Sequence, residues 1–146
     1  MGASTGPGML REETLFVVSL PLAASQKVYR NRMACIDTAT NTVKKGATGV
    51  STLVRIGTFL DSVDNSAGTG TVQCMVRLEK EIRAQWWDNA TGAATITLAG
   101  LWNNAYVVDD HTVGGTAGSN GVAGRIWDVD SVKGVLVQAI HDQQTL

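Results

Sequence analysis

Histidine and cysteine are scarce in this chain, two of each in 146 residues. That scarcity narrows the chemistry available. Cys35 and Cys74 stand far apart in separate apolar runs. Two thiols make neither a disulfide scaffold nor a four-ligand zinc site. They read first as small buried hydrophobes. Pairing would need Cα atoms within about 7 Å, so it stays open at this level, with a reduced cytoplasmic origin as the default. Charge is also low: 12 basic and 13 acidic residues give a net charge of -1. A general nucleic-acid binder carries a basic excess or patch. The one local cationic cluster, Lys27, Arg30 and Arg32, is short and reads as the solvated face of a strand. Charged residues make up 17% of the chain, against about 25% in typical soluble domains. Either a partner covers part of the surface or the chain is a Thr- and Ser-rich β-protein. Long apolar runs are missing too. Thr14 to Ala24 is broken by Pro21 and preceded by Glu12 and Glu13. It is too short to span a membrane and lacks the basic start of a signal peptide.

What the chain does have is β-formers and turn residues: sixteen glycines and as many threonines. Val72, Cys74, Val76 and Leu78 alternate with Gln73, Met75, Arg77 and Glu79. Period two over eight residues predicts a strand with one buried face. Further strands are expected at Thr14–Leu20, Lys27–Ile36, Ser51–Leu60 with Gly57 as a bulge, Ala94–Leu98, Ala105–Val108, Arg125–Val129 and Gly134–Ile140. The last is apolar on both faces, as a central strand would be. Glu79 to Trp87 is read as a continuation of the preceding strand in preference to a helical turn. Residues 37–42, 61–70 and 109–124 are turn and loop chemistry. With no long amphipathic helix, the expectation is an all-β fold, a small β-barrel, β-tulip-like or β-sandwich domain. It is expected to comprise an N-terminal arm over 1–13, one β-domain over 14–140 and a polar tail over 141–146. Met1 to Gly8 (MGASTGPG) reads as a flexible arm that a partner chain would order.

Three clusters invite chemical readings. Asp109-Asp110-His111 has metal-ligand composition, but in an extended chain neighbouring side chains point to opposite faces. A turn or strand end is therefore preferred. Asp61, Asp64 and Asn65 lack the spacing of a calcium loop and read as an Asx turn. The glycines from Gly114 to Gly124 have no G-K-[ST] ending, so a phosphate loop fails. No G-x-S-x-G elbow occurs. The expectation is no catalytic residue, no cofactor and no metal. The adjacent pair Trp86-Trp87 should put one indole on each face of a strand, one in the core and one exposed or covered by a neighbour.

The loop DSVDNSAGTG at 61–70, WWDNATG at 86–92, YVVDDHTV at 106–113 and AGRIWDVDSVKGVLVQ at 123–138 together resemble bacteriophage capsid decoration, or cement, proteins. The resemblance covers roughly residues 50–140, and the N-terminal third departs from it. It implies a small β-domain made in the host bacterial cytoplasm and docked on the outer capsid surface of the virion. Its partners would be the phage major capsid protein and further copies of itself, as a homotrimer or alternatively a homodimer, with no nucleic acid and no membrane. Leu10, Arg11, Leu15 and Phe16 would then anchor the arm region, and Trp86 or Trp87 would sit at a capsid or subunit interface. Other virion roles, in a tail or head fibre, fit the same residues. So do a carbohydrate-binding or adhesive β-module with exposed tryptophans and, more remotely, a hydrolase assembled around His111.

Overall fold

The computed structural model describes residues 17–79 and 84–139. The expected arm, with Leu10, Arg11, Leu15 and Phe16, lies outside the described residues, as does the tail. Twelve strands are formed: β1 Val17–Leu22, β2 Gln26–Val28, β3 Met33–Asp37, β4 Thr42–Lys45, β5 Leu53–Phe59, β6 Val63–Asn65, β7 Val72–Leu78, β8 Gln85–Asn89, β9 Asn104–Val107, β10 Thr112–Gly114, β11 Val122–Asp130 and β12 Gly134–Gln138. Among the described residues there is no α-helix. The all-β expectation holds, and the architecture is of the small β-barrel kind.

The main sheet closes on itself twice. β8, β10, β9, β11 and β12 form a five-stranded barrel, completed where Val135 of β12 pairs with Trp87 of β8. β1, β4, β3, β5 and β7 form a second ring. One corner of this ring is held by a single bridge, Leu22 to Val43. The two rings meet where Val122 of β11 pairs in parallel with Val54 of β5. β2 and β6 make a separate two-stranded ribbon on the N-terminal ring. Closure removes most of the unpaired backbone that an open sheet exposes.

Alternation along the strands fills two cores. Leu22, Val28, Ala34, Val43, Phe59, Cys74 and Val76 form the N-terminal one. Val107, Val113, Ile126, Val135, Val137 and Trp87 dominate the other. Met33, Cys35 and Leu53 leave the first ring's strands to pack into this second core. β7 follows its predicted period only in its middle: Cys74 and Val76 are buried while Gln73, Met75 and Arg77 are exposed, but Val72, expected inside, is exposed and Glu79, expected outside, is buried. β12 lies between β11 and β8, the central position expected of it.

Several local expectations are corrected. Lys27–Ile36 is not one strand. Asn31 takes a left-handed φ of 65° and donates its N–H to the Phe59 carbonyl, so the chain turns between β2 and β3. Ala94–Leu98 forms no strand. Two 3-10 turns, Gly92–Ala94 and Leu98–Gly100, flank it. The Asn89 side chain takes the place of a strand neighbour: it donates to the Ile96 carbonyl and accepts from the Ile96 N–H. β7 ends at Leu78 and a separate β8 begins at Gln85, so no single strand runs from Glu79 to Trp87. Two of the three loop assignments contain a whole strand: 61–70 holds β6, and 109–124 holds β10 and the start of β11. The bulge in β5 falls beside Gly57: Ala34 pairs with Gly57 but Cys35 pairs with Arg55, leaving Ile56 extra. A Cβ on Gly57 would lie 1.9 Å from the Arg77 carbonyl oxygen, so only glycine lets β7 approach there.

Candidate functional site

The four tryptophans divide into two kinds. On β8 the side chains alternate, as the sequence requires. Trp87 is 4% exposed and sits in the barrel core. Trp86 faces outward, half-buried, with the Lys133 ammonium 5.4 Å from its ring centroid. Trp87 therefore serves the core, and within the pair only Trp86 offers a ring to a partner. The larger aromatic surface is elsewhere. Trp102 is 57% exposed and Trp127 43% exposed. Their ring centroids are 4.4 Å apart at an interplanar angle of 55°. Leu98 and Leu101 are exposed just before Trp102 in the chain.

Two separate backbone irregularities put this pair in solvent. Trp102 has φ 72°, a left-handed conformation that a bulky side chain rarely adopts. It is held there because its N–H donates to the Ile126 carbonyl at 2.8 Å, while the Ile126 N–H donates to the Asn103 carbonyl at 3.0 Å. Trp127 is the extra residue of a bulge in β11: Ile126 pairs with Val137 and Asp128 with Leu136. A bulge re-aims a side chain that regular pairing would place otherwise. The Trp127 indole N–H donates to Gln138 Oε1 at 2.7 Å, which fixes the ring. The Arg125 guanidinium carbon lies 6.0 Å from the Trp102 centroid. A strained residue and a bulge are both spent on exposing apolar rings. Two tryptophans and an arginine together have the composition of an interface anchor. Sequence reasoning singled out Trp86 and Trp87 and missed the pairing of Trp102 with Trp127, since neither a left-handed φ nor a bulge has a spacing signature.

The Asp109-Asp110-His111 cluster is where the extended-chain argument fails. The chain turns at these residues, and all three side chains converge. His111 Nδ1 is 3.1 Å from Asp109 Oδ1 and 2.9 Å from Asp110 Oδ1, and the His111 N–H donates to Asp109 Oδ1 at 2.9 Å. Their ligating atoms lie within 4.8 Å of one another. The turn is also anchored to both rings. The Met33 N–H donates to the Asp110 carbonyl, and the Asp88 N–H donates to the His111 carbonyl. Carboxylates and imidazole satisfy one another in this arrangement.

The remaining candidates are structural. Asp64 forms an Asx turn, accepting from the Ser66 N–H and hydroxyl. Those bonds hold its carboxyl below the usual carboxylate range. Asn65 is buried and donates to the Ala23 and Gly70 carbonyls, closing the loop as expected of an Asx-rich segment. Lys27, Arg30 and Arg32 are exposed. Cys35 and Cys74 are both free and buried. Burial pushes the Cys35 thiol up to about 12 and the Cys74 thiol to about 11, so neither is a nucleophile at neutral pH.

One buried charge was invisible in the sequence. Arg55 on β5 is fully buried and reaches from the first ring into the second. Its Nε donates to the Ala123 carbonyl at 2.7 Å. Its Nη2 donates to Glu79 Oε2 at 2.5 Å and to the Val137 carbonyl at 3.1 Å. The same Glu79 oxygen accepts from the Ala139 N–H. The Trp87 ring centroid lies 5.3 Å from the Arg55 Cζ. This set bolts β5, β7, β11 and β12 together and belongs to architecture.

The segments that carry the resemblance to decoration proteins fall mostly on the C-terminal barrel: 86–92 on β8, 106–113 on β9 and β10, 123–138 on β11 and β12. Comparison of the chain with protein-family models, with curated proteins and with solved structures finds no match.

Proposed function

We propose that the chain is a structural, non-enzymatic virion protein that binds the outer surface of a mature phage capsid and stabilises the shell by bridging major capsid protein subunits. The observation that carries this reading is the exposed Trp102–Trp127 pair, set on the same barrel whose strands hold the resembling segments. An indole pair desolvated against a partner supplies the large apolar area of an interface hot spot. Self-association as a trimer, or as a dimer, would repeat that patch and bind several capsomers at once. Multivalency then makes modest single contacts sufficient. A protein that binds only the expanded shell stabilises that state by mass action. Leu10, Arg11, Leu15, Phe16 and the outward Trp86 are proposed as further contacts.

The test is cosedimentation of the purified chain with expanded capsids and unexpanded procapsids of the virus that encodes it, with shell melting measured alongside. Saturable binding to expanded shells and a raised melting temperature are expected. No binding to either shell overturns the reading.

A further inference from the structure

Away from the indole pair, an open groove of about 710 Å³ lies on the C-terminal barrel. One wall is the end of β8 and the turn after it, from Asp88 to Thr91. The other is the β9–β10 connection, with Val108, Asp109 and Thr112. Thr48, Thr116 and Asn120 close the end nearest the first ring. Small residues make the hollow. Ala90, Ala93 and Ala94 line it, and a Cβ added to Gly114 beneath them would lie 3.3 Å from the methyls of Ala90 and Ala94.

The lining chemistry selects a ligand class. Lysine, arginine and aromatic residues are missing from it, so an anion finds no counter-charge there. Its apolar part is three alanines and one valine, too little to desolvate a lipid chain. Asp88, Asp109 and four threonines line the hollow beside these methyls, so its surface is mixed, polar groups among apolar ones. The two amides are spent on the walls. Asn89 is tied to Ile96 through both of its polar atoms, and Asn120 Oδ1 accepts from Thr48 and from the Gly49 N–H. The walls are therefore fixed before a ligand arrives, which lowers the ordering cost of binding.

We propose that this groove binds a neutral saccharide. The Asp88 carboxylate and the Asp109 oxygen not held by His111 accept hydrogen bonds from sugar hydroxyls, the threonines donate and accept, and the alanine methyls meet the sugar's C–H face. The volume lies inside the roughly 300–1,000 Å³ range of small-molecule sites. This activity is independent of capsid attachment and uses a different face from the indole pair.

The probe is a printed array of neutral bacterial and eukaryotic glycans, read with the labelled full-length chain. Saturable binding to a related group of glycans is expected. Asp88→Asn should weaken it at least tenfold, and Ala93→Phe, at an exposed position in the hollow, should abolish it by filling the groove. Trp102→Ala should leave it unchanged, and circular dichroism checks that each variant is folded. Absence of signal overturns the proposal. So does a signal that survives both groove variants, or one that is lost with Trp102→Ala and so belongs to the indole pair. Amide chemical shifts around the groove that respond to calcium chloride but to none of maltotriose, mannotriose and chitotriose also overturn it, since the groove is then a cation site.

Discussion

Replacing Trp102 separates the two roles assigned to it, strained backbone and partner contact. The side chain is 57% exposed, so somewhat under half of its area is withdrawn from water, with Trp127 and Arg125 against the ring. At about 25 cal/mol per Å² and roughly 200 Å² for a whole indole, truncation loses about 2 kcal/mol. The left-handed φ of 72° acts in the opposite direction, costing any residue with a Cβ about 1–2 kcal/mol. Trp102→Gly removes both, for a net loss near 1 kcal/mol. Trp102→Ala keeps the strain and loses about 2 kcal/mol. Glycine should therefore be the more stable variant by about 1 kcal/mol, the reverse of the usual order inside regular structure. Urea unfolding midpoints at constant m-value measure the difference. Binding to expanded capsids should fall at least about 30-fold in both variants, the loss of a 2 kcal/mol hot spot. If alanine proves as stable as glycine, the strain argument is wrong. If both variants bind shells normally, the indole pair is not the docking face.

Three further outcomes follow from the core. Arg55→Met should cost about 3–5 kcal/mol, because it leaves the Glu79 carboxylate buried without its guanidinium. Combining it with Glu79→Gln should cost less than the sum of the single changes in a denaturation cycle. Cys35 and Cys74 should resist a thiol reagent in the folded protein at pH 8 and both react once it unfolds. Since the two thiols sit in different cores, unequal labelling during partial denaturation would show the cores opening separately. Asp37 accepts from Lys44 Nζ and the Thr52 hydroxyl, both at 2.7 Å, and these bonds lower its pKa. A depressed folded pKa means stability that is present above the unfolded value of about 3.9 and lost as pH falls through the folded one. Asp37→Asn should lower the melting temperature at pH 7, with the gap to the parent closing below pH 3.

Legibility in the sequence followed the range of the interaction involved. β7 was readable because burial of one face imposes period two on consecutive residues, and β12 because a central strand is apolar on both faces. The Asx turn at Asp64 was readable because the side chain bonds its own neighbours. At Asp109, Asp110 and His111 the turn was legible but the convergence of the side chains was not, because that turn is held by backbone bonds to β3 and β8. Ala94–Leu98 was misread because its β-formers meet the Asn89 side chain and no strand.

The chain's composition and periodicity alone determined an all-β fold with buried cysteines, since these rest on local alternation and apolar context. Tertiary structure decided the rest. It closed the sheet twice, placed Arg55 inside the joint, and brought Trp102 and Trp127 together across 25 residues. Those outcomes depend on which strands pair and where a bulge falls. Pairing is chosen by long-range packing, which leaves no fixed spacing in the sequence.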